Sequence, residues 1–124
     1  MRSSDDLPET GASARCLGVR LGVDIPSDER GWVAPRTEGM SVAPPPPENL
    51  VTHRRPPEFG GTGKDPVYEL ETDELPEELI HRPDPEVPER HGFIEPSRPM
   101  PFEEYQDRLQ ATRALWRRLH SNVR

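Results

Sequence analysis

Apolar residues are sparse along this chain, and only one stretch repeats them with a clear period. Phe102, Tyr105, Leu109, Thr112, Trp116 and Leu119 recur at alternating steps of three and four, and Leu115 widens the stripe. This spacing predicts an amphipathic helix from Phe102 to Leu119. Pro101 suits a first helical position, where a missing amide costs little. Glu103 and Glu104 at the start and Arg117 and Arg118 at the end agree with the helix macrodipole. Glu104 and Arg108 are spaced as an i,i+4 ion pair. A face carrying three large aromatics has to pack on something. It reads as core in preference to a helix laid into a partner's groove.

Elsewhere the pattern is short and interrupted. Leu17, Val19, Leu21 and Val23 alternate with smaller or charged residues, which predicts a strand over residues 16–23, weakened by Gly18 and Gly22. Further strand candidates are residues 40–43, 67–70 and 91–96, the last stopped by Pro96. Residues 31–35 form a short apolar stretch. Residues 75–79 read as a turn leading into Ile80, His81 and Arg82. Between these lie proline-rich loops. Pro44 to Pro47 impose extended or polyproline II backbone. Residues 48–66 are expected as a long surface loop with a helical turn near Glu48, and residues 83–90 as another loop. Residues 1–13 are polar and expected to be a loose, flexible terminus, with residues 14–124 forming a single domain. No internal repeat is present.

Composition pulls toward a different class. Of 124 residues, 31% are hydrophobic, 31% are charged, 17 are proline and 9 are glycine. This borders on the composition of disordered chains, so a proline-rich adaptor presenting Pro44 to Pro47 to an aromatic groove competes with any folded reading. The helical stripe is the main argument against it. A net charge of -7 disfavours non-specific binding to nucleic acid. The local clusters His53-Arg54-Arg55 and Arg117-Arg118 still leave room for an anion site. The single cysteine, Cys16, excludes an internal disulfide and a multi-cysteine metal centre, and suits a reducing cytoplasm. No apolar run is long enough to span a membrane, and the first residues lack the apolar core of a signal peptide. A cytoplasmic protein is expected, exported if at all by dedicated machinery.

Candidate chemistry is thin when read residue by residue. Gly60-Gly61-Thr62-Gly63-Lys64 invites a phosphate-loop reading. Glu58 stands where that motif needs its first glycine, and Asp65 follows the lysine where a hydroxyl is needed. A flexible turn is the simpler reading. His53, His81, His91 and His120 show no metal-ligand spacing. His91 stands out because it opens an apolar strand, although a lone histidine there is commonly structural.

Two blocks carry a more specific signal. Gly31-Trp32-Val33-Ala34-Pro35-Arg36-Thr37-Glu38-Gly39-Met40-Ser41-Val42 matches the pattern G-x-x-A-P-x-T-x-G-x-S-V. His91-Gly92-Phe93-Ile94-Glu95-Pro96-Ser97-Arg98-Pro99-Met100 matches H-x-x-I-x-P-x-x-P-M. In both, the chain resembles the type VI secretion exported effector-two family of bacterial toxins. Thr72, Asp73, Pro76 and Leu79 resemble the segment joining the two blocks in that family. The resemblance implies an α+β fold: a small ADP-ribosyltransferase-like split β-sheet with a C-terminal amphipathic helix and long proline-rich loops. It implies NAD as substrate, held in a cleft between the sheet halves. Ser41 and His91 are the residues the motifs carry over. The early basic residue of such folds is assigned to Arg20, with Arg15 as the alternative, because a guanidinium can grip a diphosphate bidentately. A carboxylate would stabilise the oxocarbenium charge that develops as the nicotinamide–ribose bond breaks. Glu95 is placed for this, with Glu69 as substitute. Tyr68 and Phe93 could stack the nicotinamide, or simply pack the core. A toxin of this kind implies a neutralising immunity protein and a macromolecular target. The histidine spacing and the absence of a long apolar run lead us to expect no metal and no membrane partner. A non-catalytic NAD- or protein-binding module of the same fold is the alternative.

Overall fold

In a computed structural model of the chain, residues 1–13 and 15–120 are described. Their order is β1 (Ser3–Ser4), β2 (Leu7–Pro8), β3 (Trp32–Val33), β4 (Met40–Val42), β5 (Tyr68–Glu69), β6 (Leu79–Pro83), β7 (Gly92–Pro96), β8 (Met100–Pro101), α1 (Phe102–Ala111) and β9 (Arg117–Arg118). The strands fall into four small open sheets. These are β1–β2, β3–β8, the three-stranded β4–β7–β6 and β5–β9, every pair antiparallel. Short 3₁₀ turns occupy the proline-rich stretch between β4 and β5. The whole is a mixed α+β fold with a divided sheet, as the resemblance implies.

The two motif blocks are the strands that meet. β3 pairs with β8, placing Val33 opposite Met100, and β4 pairs with β7, placing Met40 opposite Ile94. All four of these side chains are buried, and they join Leu17, Val19 and Ile25 in one core. α1 closes that core through Tyr105 and Leu109.

The helix is shorter than its apolar stripe. It ends at Ala111, a 3₁₀ turn follows at Arg113–Leu115, and the chain then runs extended into β9. Thr112 accounts for the break. Its hydroxyl donates back to the carbonyl of Leu109 at 2.6 Å and accepts the indole N–H of Trp116 at 3.0 Å. Such local bonding competes with helix continuation. Arg113 then binds the N-terminal hairpin through the carbonyls of Pro8 and Ser4. The stripe residues Tyr105, Leu109, Thr112 and Trp116 are nevertheless all buried. Arg117 and Arg118 therefore lie in a strand, not at a helix end. Pro101 belongs to β8, and Glu104 pairs with Arg98 at 2.8 Å instead of with Arg108.

Two other expectations are revised. Residues 16–23 form no strand but a buried, bridged coil. Leu17 and Val19 are in the core, while Leu21 and Val23 are exposed. Gly18 sits at φ 146, where a Cβ would collide with the carbonyl of Gly11, and it breaks the extended run. Residues 1–13, expected to be loose, contain the β1–β2 hairpin. That hairpin is tied to the body by Arg113 and by the Met1 ammonium, which donates to the carbonyl of Pro66 at 2.9 Å.

Candidate functional site

The central strand β7 organises the candidate site. Side chains alternate along a strand, so His91, Phe93 and Glu95 share one face while Ile94 enters the core on the other. Register sets Ser41 of β4 on one side of Phe93 and Arg82 of β6 on the other. Ser41, Phe93 and Arg82 thus form a row across the three strands, flanked along β7 by His91 and Glu95.

Arg82 anchors this row. Its guanidinium lies 4.9 Å from the centre of the Phe93 ring, and its Nε donates to Glu95 Oε2 at 2.9 Å. Among the described residues, only Nε of this guanidinium is hydrogen-bonded. Glu95 is fully buried, and its Oε2 also accepts the backbone N–H of Arg36 at 3.0 Å. Its Oε1 is buried and has no partner among the described residues. A buried carboxylate oxygen without a donor is costly.

The first block's pattern now has a physical meaning. Arg36 adopts φ 64, in the left-handed region that side chains avoid, and this turns its amide toward Glu95. Thr37 steadies the turn by donating to the carbonyl of Ala34 at 2.9 Å. Gly39 passes so close to β7 that a Cβ would lie 2.7 Å from the Ile94 carbonyl and 3.0 Å from the Tyr105 hydroxyl. That hydroxyl donates to Ile94 O at 2.5 Å and accepts Met40 N–H at 3.1 Å, clasping β4 to β7 behind Ser41.

His91 is oriented by a residue the sequence did not single out. Its Nδ1 lies 2.8 Å from Asp84 Oδ2, and its ring meets Phe93 edge-on at 4.8 Å. The His91 hydrogen bond, with the backbone N–H of Glu86, holds Asp84 below the usual carboxylate range. Facing this carboxylate, a neutral imidazole carries its proton on Nδ1 and presents Nε2 as an acceptor.

Ser41, His91, Phe93 and Glu95 are therefore brought together. Arg20, Arg15, Tyr68 and Glu69 are not part of this face. Arg20 is closed onto Asp24 at 3.0 Å, and Arg15 onto Asp65 at 2.7 Å. Tyr68 is buried in β5, its hydroxyl without a partner among the described residues, and belongs to the core cluster. Glu69 is exposed beside Arg117 of β9. Arg82 and Asp84 escaped sequence reasoning. Arg82 followed a proline-flanked turn and had no motif, and only the β6–β7 register reveals its place. Among the described residues, no group of three or more His, Cys, Asp or Glu could hold a metal ion. Among the described residues, no helix is long and apolar enough to cross a membrane.

The family model described as Tse2 ADP-ribosyltransferase toxin covers residues 1–116. No curated protein and no solved structure matches the chain.

Proposed function

Because the chain belongs to the Tse2 ADP-ribosyltransferase toxin family, we propose that it transfers ADP-ribose from NAD in the cytosol of a target cell, using the Ser41–Phe93–Arg82 face as its dinucleotide site. The observation carrying this reading is the convergence of four groups on one sheet face: a hydroxyl, an aromatic ring, a guanidinium with unbound terminal nitrogens and an Asp-oriented imidazole. Arg82 takes the role first given to Arg20: its terminal nitrogens grip the diphosphate of NAD bidentately. Phe93 offers a flat apolar surface to the nicotinamide, and Ser41 a hydrogen bond to the ribose.

In the reaction, the bond between nicotinamide nitrogen and ribose carbon breaks, and its electron pair leaves with neutral nicotinamide. The acceptor's nucleophile bonds to the anomeric carbon and gives up a proton, which Nε2 of His91 can take. The negative charge of Glu95, buried on the same sheet face beside Arg82, acts on the developing oxocarbenium, while its hydrogen bond fixes Arg82. Such chemistry inside its producer calls for an immunity protein, and delivery calls for a dedicated secretion route of the type VI kind.

Incubating protein, NAD and cell lysate, then measuring nicotinamide release and ADP-ribose adducts by mass spectrometry, tests this. Wild type should give both, and Ser41→Ala, His91→Ala and Arg82→Ala should lose most of both. No release by wild type would sink the enzyme reading. The burial of Glu95 favours one alternative, a non-catalytic NAD- or protein-binding module. Calorimetric NAD binding without release would select it.

A further inference from the structure

The glycine-rich loop at Gly60-Gly61-Thr62-Gly63-Lys64 is not a phosphate loop by sequence, yet it builds a cationic groove. It lies flat on the turn that carries His53 and Arg54. The N–H of Thr62 bonds to the carbonyl of Thr52 at 2.9 Å, and that of Gly63 to the carbonyl of Arg55 at 2.9 Å. A Cβ on Gly61 would collide with the Arg55 carbonyl, and one on Gly63 with the His53 carbonyl. The glycines are thus what lets Lys64 sit beside His53 and Arg54.

Arg15 and Arg20 line the same groove. The groove has a volume of about 600 Å³ and is lined by Arg15, Arg20, His53, Arg54, Lys64 and Asp65. Its two remaining lining residues, Ala12 and Ser13, are small. Four permanent cations thus face one carboxylate in the lining of a chain whose net charge is -7. They come from segments far apart in sequence, so folding gathers like charges at an electrostatic cost. Asp65 and Asp24 fix two of the guanidiniums, Arg15 through paired bonds of 2.7 and 2.8 Å and Arg20 through bonds of 3.1 and 3.0 Å. Lys64 has no ion pair among the described residues. The Lys64 charge therefore remains available, on a frame of guanidiniums that are already held in place.

We propose that this groove is a second ligand site, taking the adjacent phosphates of a phosphate-chain anion. Its volume falls within the range of small-ligand sites. No large apolar side chain lines it, so it recognises charge in place of a base or an apolar group. The phosphates can belong to a free nucleotide or to a nucleic-acid backbone. No residue of the Ser41–Phe93–Arg82 row lines the groove, and the inference does not depend on NAD cleavage.

The test is an amide NMR titration of the whole chain with inorganic pyrophosphate and, separately, with a thymidine decamer. Pyrophosphate should shift the amides of His53, Gly63 and Lys64, and the affinity should fall as salt rises. Lys64→Glu should weaken binding about tenfold, the loss of one charge-assisted contact. Arg108→Glu, the same charge change at an exposed position on α1, should leave it within about twofold. Tighter binding of pyrophosphate than of the decamer assigns a free nucleotide, and the reverse assigns a backbone. Absence of shifts at millimolar pyrophosphate, or equal weakening by both variants, would overturn the proposal. Loss of NAD cleavage in the Ser41 variant leaves these results untouched.

Discussion

Replacing Tyr105 by Phe removes a single oxygen, and that oxygen holds the two motif strands together. Tyr105 is fully buried and bridges Ile94 O at 2.5 Å and Met40 N–H at 3.1 Å. The substitution keeps the ring and its packing. It leaves one backbone carbonyl and one backbone amide without their partner in a buried place. Each such orphan costs about 1–3 kcal/mol. Met40 and Ile94 are register partners, so the strands can close part of the gap and recover some of this. The expected loss is about 2–4 kcal/mol, a large share of the ~5–15 kcal/mol that holds a typical domain. For a chain of this size it lowers Tm by roughly 10 °C.

Urea unfolding followed by tryptophan fluorescence measures this directly. The midpoint should fall with no change in slope, because the surface exposed on unfolding is the same. The loss should also be the same from pH 6 to pH 9: burial pushes the Tyr105 phenol far above its usual value, so the group stays protonated throughout. A loss below about 0.5 kcal/mol would refute the clasp, since two orphaned backbone groups cannot be that cheap. A strongly pH-dependent loss would refute the picture of a neutral phenol.

Other outcomes follow from the same geometry. Gly39→Ala should destabilise by about 2 kcal/mol or more, since its Cβ would meet backbone of β7 that cannot retreat, and thermal melts check this. Thr112→Val should cost about 1–2 kcal/mol by stranding the indole N–H of Trp116, visible in denaturant unfolding. Glu95→Ala should lower stability by about 3 kcal/mol through the Arg82 charge it leaves in a part-buried site, whereas changing Glu95 and Arg82 together to Ile and Met should recover much of it. Stability should also fall in acid. Asp65 is held below its usual value by the Arg15 hydrogen bond, Asp84 by that of His91 and Asp28 by the backbone N–H of Trp32. The folded state therefore binds fewer protons than the unfolded one. The stabilisation is complete above pH about 4 and is lost as pH drops through the lowered folded values, which a pH series of Tm measures.

How far the sequence spoke depends on whether an element's cause is local. β4 and β7 were legible because alternation and flanking turns mark them. The buried face of α1 was legible because a period of three and four marks it. The end of α1 was not, since Thr112 and Arg113 terminate it through bonds to Trp116 and to the N-terminal hairpin. Leu17 and Val19 alternate as a strand would, yet their burial comes from packing under α1. There Gln106 bonds to both the N–H and the carbonyl of Val19, at 2.9 and 3.1 Å. Ser41 and His91 were carried by motif. Arg82 and Asp84 were not, because what distinguishes them is cross-strand register and a hairpin contact, neither of which has a fixed spacing in sequence.

The pairing of Arg82 with Glu95 is hard to explain by stability alone. A buried carboxylate with one unpartnered oxygen is a worse core residue than an isoleucine, and such pairs are commonly neutral or unfavourable beside apolar substitutes. What the pair achieves is placement. With Nε bonded to a fully buried partner and its plane over Phe93, the guanidinium loses its rotamer freedom before any ligand arrives. The backbone supports the same arrangement, since Arg36 holds a strained φ that aims its amide at Glu95. Strain, an orphaned oxygen and a like-for-like hydrophobic alternative all converge on the row that includes Ser41. The anion-recognising role proposed for this row would benefit from this arrangement, and a sheet that only has to fold does not need it.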